Sequence, residues 1–298
     1  MHAVFSTAAM PTRGLRAFAR RLSAAREPAV AAFAKRLAAV RQPGTVRVRL
    51  DDESRIATLT LANAERRNSI TGPMMAQLAD AVDELAAWER GAGLIVTGEG
   101  ERAFCSGADY DLARTELRTP DDGELMSTLM STTLDRLRSL PLLSVSAIDG
   151  VAMGGGAEMC TATDWRVLGR GAHVRFVHAR MGASPGWGGA ARLVSLVGRG
   201  TALRLLAGGA RVEPEEAVRL GLSEMTAADG ESAEAAARRM LGAIVEGAAS
   251  VQALRAIKRA VVASSGVDDA AWREETAALR SVWATEEMLG RFDRKPGS

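Results

Sequence analysis

The chain has 298 residues, of which 47% are hydrophobic and 25% are charged, and its formal net charge is +2. These values are typical of a globular protein with one large domain or two ordinary ones. Aromatic residues make up only 4% of the chain, which argues against a surface that stacks bases, so we expect no nucleic-acid partner. No apolar run approaches the roughly 20 residues that cross a bilayer, so we expect no membrane span.

Cysteine and histidine are too scarce and too scattered for several kinds of site. The two cysteines, Cys105 and Cys160, lack the spacing of metal ligands and are expected to be reduced thiols. The three histidines are His2, His173 and His178. We therefore predict no metal centre.

The first 41 residues are strongly basic. They hold eight arginine and lysine residues against one acid, Glu27, whereas the rest of the chain holds 30 basic and 35 acidic residues. Apolar and basic residues recur at helical spacing in "AFARRLSAA" (17–25) and "AFAKRLAAV" (32–40). This pattern is typical of a mitochondrial transit peptide, so we interpret residues 1–42 as an extension and expect the mitochondrial matrix as the location. The alternative is a surface helix of the mature protein, which leaves a cytoplasmic location open.

The segment that follows predicts two strands around a helix. "RIATLTLA" (55–62) and "GLIVTG" (93–98) have the apolar, β-branched character of strands. Between them, Thr71 is placed to cap a helix. The apolar positions of that helix recur every three or four residues, at Met75, Leu78, Val82, Leu85 and Trp88.

Strands and helices continue to alternate through the middle of the chain. A helix is predicted over 121–138, and strands are predicted in "LLSVSAIDG" (142–150) and "DWRVLG" (164–169). Alternation of this kind favours an α/β fold, which we assign to a core over residues 43–230. Residues 231–298 form a helical C-terminal region that packs either on its own core or on a neighbouring subunit.

Two glycine-containing turns follow directly after predicted strands. They are "AFCSGADYDL" (103–112) and "GVAMGGGAEM" (150–159). In an α/β sheet, the loops that leave the carboxyl ends of strands collect in the region where ligands bind. A glycine turn before a helix also exposes N–H groups at the positive end of the helix dipole. We predict that one N–H from each turn holds a carbonyl oxygen that becomes an oxyanion, and that the glycines let this carbonyl reach the main chain.

The glycines and the titratable residues near them could also serve the fold alone. Close packing of a helix on a strand accounts for consecutive glycines as well, and neither the dinucleotide fingerprint nor the phosphate-binding loop sequence is present. Glu158 follows the glycines in apolar surroundings, and His178 lies in "VRFVHARMG" (174–182). Each is a candidate catalytic residue, with a structural carboxylate and a core histidine as the respective alternatives.

Together, "ERAFCSGADYDL" and "AIDGVAMGGGAEMCTATDWRVLG" resemble the crotonase, or enoyl-CoA hydratase/isomerase, superfamily, and the likeness runs from residue 48 to 290. The resemblance implies an α/β fold made of a spiral of β–β–α repeats with a C-terminal helical trimerisation region. It also implies a homotrimer or homohexamer and an acyl-CoA thioester as substrate. No separate cofactor is expected, because CoA is part of that substrate.

The resemblance assigns roles by position. It implies that the amides of Ala108 and Gly155 form the oxyanion hole. "NAERRNSIT" (63–71) is similar to the family's loop against CoA, which implies that Arg66 and Arg67 contact CoA. Two surface arginines without a ligand are the alternative.

Four further site residues follow from the same resemblance. Ser106 and Asp109 are implied contacts of CoA, and Tyr110 and Trp187 are implied to line the acyl pocket. Trp187 could also fill the core, but its glycine-rich loop favours the pocket.

Four other segments are similar to the superfamily's decarboxylases of branched malonyl-CoA thioesters: 73–96, 174–182, 187–194 and 281–283. Hydratases of the superfamily carry a second glutamate where this chain has His178. Water addition is commonly served by two carboxylates. Histidine in place of one of them removes a negative charge that would repel a carboxylate on the substrate.

The expected reaction is therefore decarboxylation of ethylmalonyl-CoA or methylmalonyl-CoA. The oxyanion hole would stabilise the resulting enolate, and His178 or Glu158 would protonate its α-carbon. One alternative is an enoyl-CoA hydratase or isomerase that uses Glu158 alone or with His178. The other is a crotonase fold kept as a structural or RNA-binding subunit of a mitochondrial assembly.

Overall fold

The computed structural model describes residues 27–264, 275–277, 279–281 and 283–293. In this part of the chain the strands are β1 (Thr45–Arg49), β2 (Ile56–Ala62), β3 (Gly93–Gly98), β4 (Ala103–Cys105), β5 (Leu143–Ile148), β6 (Val151–Met153), β7 (Trp165–Leu168), β8 (His173–Arg175), β9 (Arg211–Val212) and β10 (Met225–Thr226).

The helices are α1 (27–38), α2 (Gly72–Ala87), α3 (Tyr110–Thr115), α4 (Pro120–Ser139), α5 (Gly155–Cys160), α6 (Gly189–Val197), α7 (Arg199–Gly208), α8 (Pro214–Arg219), α9 (Ala233–Glu246), α10 (Val251–Ser264) and α11 (Glu286–Asp293). Residues 275–277 and 279–281 are also helical, and short 3₁₀ turns cover Ala64–Arg66 and His178–Met181.

The strands form two sheets that the chain visits in turn. The larger sheet has the order β1-β2-β3-β5-β7-β10, and the smaller has the order β4-β6-β8-β9. Pairing is parallel except between β1 and β2 and between β8 and β9. In three successive repeats the chain makes a strand in the larger sheet, a strand in the smaller sheet and then helical structure. This is the β–β–α spiral that the resemblance implied.

The larger sheet is covered on both faces, which explains the continuous apolar runs in its strands. Along β3, Leu94 and Val96 pack into the main core with α2 and α4, whereas Ile95 packs into a second core with α9. Successive side chains of a strand point to opposite faces, so neighbouring apolar residues of β3 pack into different cores. Thr71 precedes α2, but its hydroxyl donates to the carbonyl of Pro43 instead of accepting from the helix, so the predicted side-chain cap is wrong.

The N-terminal helix α1 belongs to the folded body. Phe33 and Leu37 are buried in the main core, and Arg36 pairs with Asp122 at the start of α4. A few residues on, the side chain of Gln42 accepts from the amide of Gly72 and donates to Asp109. The predicted boundary between an extension over 1–42 and a core over 43–230 therefore lies too late in the chain. Residues 1–26 of that extension lie outside the described residues.

The predicted C-terminal region, 231–298, packs on this chain's own body wherever it is described. Helix α9 covers one face of the larger sheet, and Lys258 of α10 is buried in an ion pair with Asp164. Leu279, Trp283 and Met288 then enter the main core on the opposite side. The region therefore serves two separate layers of the fold.

Two expected absences can be examined in the described residues. No single helix there has the length and apolar character to cross a bilayer, although α9 and α10 meet these criteria as a pair bent by 111°. Within the same part of the chain, no group of three or more histidine, cysteine or acidic side chains is arranged to hold a metal ion.

Candidate active site

The two glycine turns lie side by side because β4 and β6, which precede them, pair in parallel. Gly107 has a φ of +97°, and a Cβ at this position would lie 3.0 Å from the amide nitrogen of Gly155. Only glycine adopts this conformation readily and leaves room for the neighbouring turn. The structure therefore brings the two predicted turns together.

The N–H groups of Ala108 and Gly155 have no hydrogen-bond acceptor among the described residues. On either side of Ala108, Ile70 accepts from the amide of Asp109 at 2.9 Å and donates to the carbonyl of Gly107 at 2.8 Å. This bridge uses the N–H of Asp109 and the carbonyl of Gly107, and it leaves the N–H of Ala108 without an acceptor. Gly155 begins α5, so its N–H is one of the unpaired donors of a helix start. Both residues are partly exposed, and their amides are available to a ligand oxygen.

Each of the three consecutive glycines is required for a different reason. Gly154 has φ +55° and ψ −123°, a conformation that side chains disfavour. A Cβ on Gly155 would lie 2.5 Å from the ring of Trp187, and a Cβ on Gly156 would overlap the carbonyl of Cys105. Close packing within the protein thus accounts for Gly155 and Gly156, and room for a substrate carbonyl stays a prediction.

Glu158 is a buried carboxylate whose two oxygens are both occupied. Its side chain is 2% exposed. Oε1 lies 2.8 Å from Nε2 of His178 and accepts from the amide of Gly186 at 3.4 Å, while Oε2 accepts from the amides of Trp187 at 2.8 Å and Gly189 at 3.0 Å. Glu158 therefore fixes the loop over 186–189 as well as the imidazole.

These contacts decide the ionisation of Glu158. Burial by itself raises the pKa of this carboxyl, but His178, the amide of Trp187 and the guanidinium of Arg192 outweigh burial and hold the pKa below its ordinary value. The carboxylate is consequently charged at neutral pH. Its oxygens accept hydrogen bonds from the loop over 186–189 and contact the imidazole of His178. Glu158 is therefore a structural carboxylate, as the sequence left open, and it also contacts the candidate catalytic histidine.

His178 keeps one ring nitrogen unused. It begins the 3₁₀ turn His178–Met181, and its Nε2 is engaged by Glu158. Nδ1 is buried and has no hydrogen-bond partner among the described residues. A buried polar atom without a partner is uncommon in proteins and often marks a functional group. Nδ1 is therefore the atom of this pair that has no partner in the described part of the protein.

Arg192 was not predicted from the sequence, although it organises the site. Its buried guanidinium donates to the carbonyl of Trp187 at 2.5 Å, to Thr161 Oγ1 at 3.1 Å and to Asp135 Oδ1 at 3.2 Å. It lies on α6, immediately after the loop that Glu158 holds. A buried arginine in "WGGAARLV" was detectable as a cation in an apolar helix, but its partners are remote in sequence.

Glu275 is a second buried carboxylate that the sequence did not reveal. Its side chain lies against the start of α6, where Oε2 accepts from the amides of Ala190 at 3.0 Å and Ala191 at 3.4 Å. Burial and the nearby charge of Glu158 raise the pKa of Glu275 to about 7, although Arg192 acts in the opposite direction. No local pattern predicts this contact, because more than 80 residues separate its two sides.

The predicted CoA contacts lie together around the first turn. The side chain of Arg66 pairs with Asp111 at 2.9 Å and with Asp109 at 3.3 Å. Arg67 is exposed in a left-handed conformation, and its carbonyl accepts from the amide of Ser106. The loop over 63–71 thus lies against the turn that carries Ala108.

Asp109 has a structural task. Its carboxylate is buried and accepts from the amides of Asp111 and Leu112 at the start of α3, and from the hydroxyl of Ser69 at 2.8 Å. The engaged oxygens make it a helix cap. Contact of Arg66, Arg67, Ser106 and Asp109 with CoA stays a prediction.

The two residues predicted to line the acyl pocket, Trp187 and Tyr110, are each associated with one of the two glycine turns. Trp187 is buried with its ring against Gly155, next to one free amide. Tyr110 is half-buried at the first position of α3, two residues after the other free amide. Trp187 therefore adjoins the predicted oxyanion hole, whereas Tyr110 is placed close to it only by its position at the start of α3.

Comparison with known proteins agrees with this architecture. The sequence matches the family Enoyl-CoA hydratase/isomerase over residues 51–287. It is 42% identical over 247 residues to ethylmalonyl-CoA decarboxylase of Gallus gallus, with 82% of each chain covered. It is 36% identical over 255 residues to ethylmalonyl-CoA decarboxylase of Homo sapiens, covering 85% of this chain and 81% of the relative.

Solved structures show the same fold. An enoyl-CoA hydratase from Mycobacterium avium subsp. paratuberculosis K-10 superimposes with a TM-score of 0.72 at 22% identity, covering 83% of this chain and 94% of that one. DspI of Pseudomonas aeruginosa superimposes with a TM-score of 0.68 at 28% identity, covering 84% and 93%. The predicted α/β spiral is confirmed, and the chain belongs to the enoyl-CoA hydratase/isomerase family.

Proposed function

We propose that this chain decarboxylates a short branched malonyl-CoA thioester, ethylmalonyl-CoA or methylmalonyl-CoA. The observation that carries the proposal is the pair of free amides on Ala108 and Gly155, together with a histidine instead of a second carboxylate at position 178, where it contacts Glu158 of the helix that Gly155 begins. The similarity to proteins named ethylmalonyl-CoA decarboxylase supports the substrate class.

The free amides would act on the thioester. With the carbonyl oxygen between the N–H groups of Ala108 and Gly155, the bond from the α-carbon to the carboxylate breaks and CO₂ leaves. The electron pair stays on the thioester as an enolate, whose oxygen carries the new charge. Fixed donors aimed at such charge contribute about 3–4 kcal/mol each to lowering the barrier.

The enolate then needs one proton at its α-carbon. We assign this proton to Nδ1 of His178, because Nε2 is held by Glu158 and the oxygens of Glu158 are already occupied. An ionised Glu158 stabilises the imidazolium that gives up the proton, as a carboxylate does for a histidine that it orients.

The test uses purified protein with ethylmalonyl-CoA, methylmalonyl-CoA and crotonyl-CoA. We expect CO₂ release and formation of the saturated acyl-CoA from one or both malonyl thioesters. Hydration of crotonyl-CoA without decarboxylation of either malonyl thioester would contradict the proposal and favour an enoyl-CoA hydratase or isomerase.

We further propose a homotrimer or homohexamer in the mitochondrial matrix that needs no cofactor besides the CoA of its substrate. Ile257 and Val261, one turn apart on α10, are each 58% exposed, which favours a further apolar contact for this helix. The basic N-terminus favours the location. Native mass spectrometry of the purified protein should give a multiple of three chains. Co-purification with many different chains would instead support a structural or RNA-binding subunit.

A further inference from the structure

The carboxylates of Glu158 and Glu275 share one short stretch of main chain. Glu158 accepts from amides at 186, 187 and 189, and Glu275 accepts from the next two, at 190 and 191. The stretch ends at the start of α6, so both carboxyls lie at the positive end of one helix. The two groups are more than 100 residues apart in sequence and meet only in the folded protein.

The charged groups around Glu275 do not balance two full negative charges. Glu158 faces it from α5 and Arg192 faces it from α6. Arg192 is shared with Asp135 of α4, and Glu158 is shared with His178. On its own segment, Arg280 is engaged by Asp121 and Glu124. Among the described residues, one buried guanidinium therefore serves two buried carboxyls and a partly exposed carboxylate.

The second oxygen of Glu275 shows how this imbalance is resolved. Glu275 is 6% exposed, and Oε1 is buried with no hydrogen-bond partner in the described residues. An unpaired buried oxygen that carries negative charge costs far more free energy than one that carries a proton. We propose that Glu275 is a positioning residue that works in its neutral, protonated form, capping α6 without adding a second negative charge beside Glu158.

This neutrality matters for the proposed function, on which the next step rests. A malonyl thioester brings its own carboxylate into the pocket, and this carboxylate is ionised throughout the neutral range. Beside a charged Glu158, an additional charge on Glu275 would repel it in surroundings of low dielectric constant. Neutral Glu275 thus allows the site to accept an anionic acyl group, whereas an uncharged acyl-CoA would be indifferent to its ionisation.

The first test measures the unfolding temperature of the wild type and Glu275→Gln between pH 5 and pH 8.5. Folded Glu275 keeps its proton up to about pH 7, whereas the unfolded carboxyl loses it near 4.5, so the wild type loses stability as pH rises through this window. The glutamine keeps an acceptor for the two amides and does not titrate. We expect Glu275→Gln to gain stability relative to the wild type as pH rises, whereas Glu286→Gln, an exposed control on α11, should follow the wild type.

The second test compares KM for methylmalonyl-CoA with the inhibition constant of butyryl-CoA over the same pH range. For the wild type, we expect KM to rise about tenfold between pH 6.5 and 8.5, the effect of one added like charge in a partly shielded site. The inhibition constant of butyryl-CoA should stay flat, and in Glu275→Gln both should stay flat. A charged structural cap predicts the opposite, with Glu275→Gln less stable than the wild type at pH 8 and with an unaltered KM profile.

The two tests separate the two ways in which the proposals can fail. If no malonyl thioester is decarboxylated, the proposed function is wrong, and the unfolding curves still decide whether Glu275 is neutral. If Glu275→Gln does not fold, the ratio of KM to the butyryl-CoA inhibition constant in the wild type decides. A ratio independent of pH contradicts the proposal.

Discussion

The ring of Trp187 occupies the place where a side chain on Gly155 would begin, with 2.5 Å between the ring and the position of an added Cβ. Because Gly155 also carries a free amide of the predicted oxyanion hole, this contact links the shape of the pocket to the position of the donor.

The first prediction concerns this contact. Gly155→Ala should destabilise the protein by about 1–3 kcal/mol, as overpacking does, and should lower kcat at least tenfold because the ring or the amide must move. Phenylalanine lacks the outer part of the indole, so Gly155→Ala combined with Trp187→Phe should recover part of the loss. Additive effects in this double-mutant cycle would contradict direct contact. Gly242→Ala in α9, where a Cβ meets no atom within 4 Å, is the control and should be neutral or stabilising.

The second prediction separates His178 from Glu158. His178→Ala should lower kcat by about 10²–10⁴-fold, the usual effect of losing a general acid, and should lower the unfolding temperature less than Glu158→Gln does, because Glu158 keeps its three amide donors. Glu158→Gln should lower both, because the amide group of glutamine faces donors that the carboxylate now accepts from. Urea denaturation and steady-state kinetics on the same samples provide the comparison. Equal loss of stability in both variants would remove the assignment of the loop-fixing role to Glu158.

The third prediction tests where the folded body begins. Phe33→Ala and Leu37→Ala should each destabilise the protein by about 2–5 kcal/mol, the usual cost of emptying a core position. A chain that starts at residue 43 should therefore unfold at a lower temperature than one that starts at residue 27. Identical thermal unfolding of the two truncated chains would restore the boundary predicted from the sequence.

The fourth prediction concerns the thiols. Burial raises the pKa of Cys105 and of Cys160 to about 12, so neither forms a thiolate at neutral pH. A thiol-specific chromogenic disulfide should leave the native protein unmodified and should react with two thiols per chain after denaturation in guanidinium. Rapid reaction of one thiol in the native protein at pH 7.5 would show that this part of the core opens.

Sequence periodicity predicted the long central elements well. The strand over 93–98 has the predicted bounds, and the helix predicted over 121–138 extends by one residue at each end. Strands β4, β6 and β8 have three residues each, too few to show a period, so the smaller sheet was missed.

The limits at the N-terminus and at the site have physical causes. An amphipathic presequence and a helix packed on a core place apolar residues at the same spacing, so Phe33 and Leu37 could not be distinguished from a targeting segment. The contacts of Arg192 and Glu275 join segments that are distant in sequence, and no local pattern encodes them. Glu158 and His178, in contrast, were identified from motifs that surround them.

Two residues of the C-terminal region hold the loop over 186–191. Leu279 packs on Gly186, and Glu275 accepts a hydrogen bond from the amide of Ala190. The strands of the larger sheet all precede these two residues in the chain. The loop that surrounds Glu158 therefore cannot reach its final form until residues well beyond the sheet have been synthesised. A polypeptide that ends before residue 275 would contain the residues of the ten described strands but would lack both contacts to this loop.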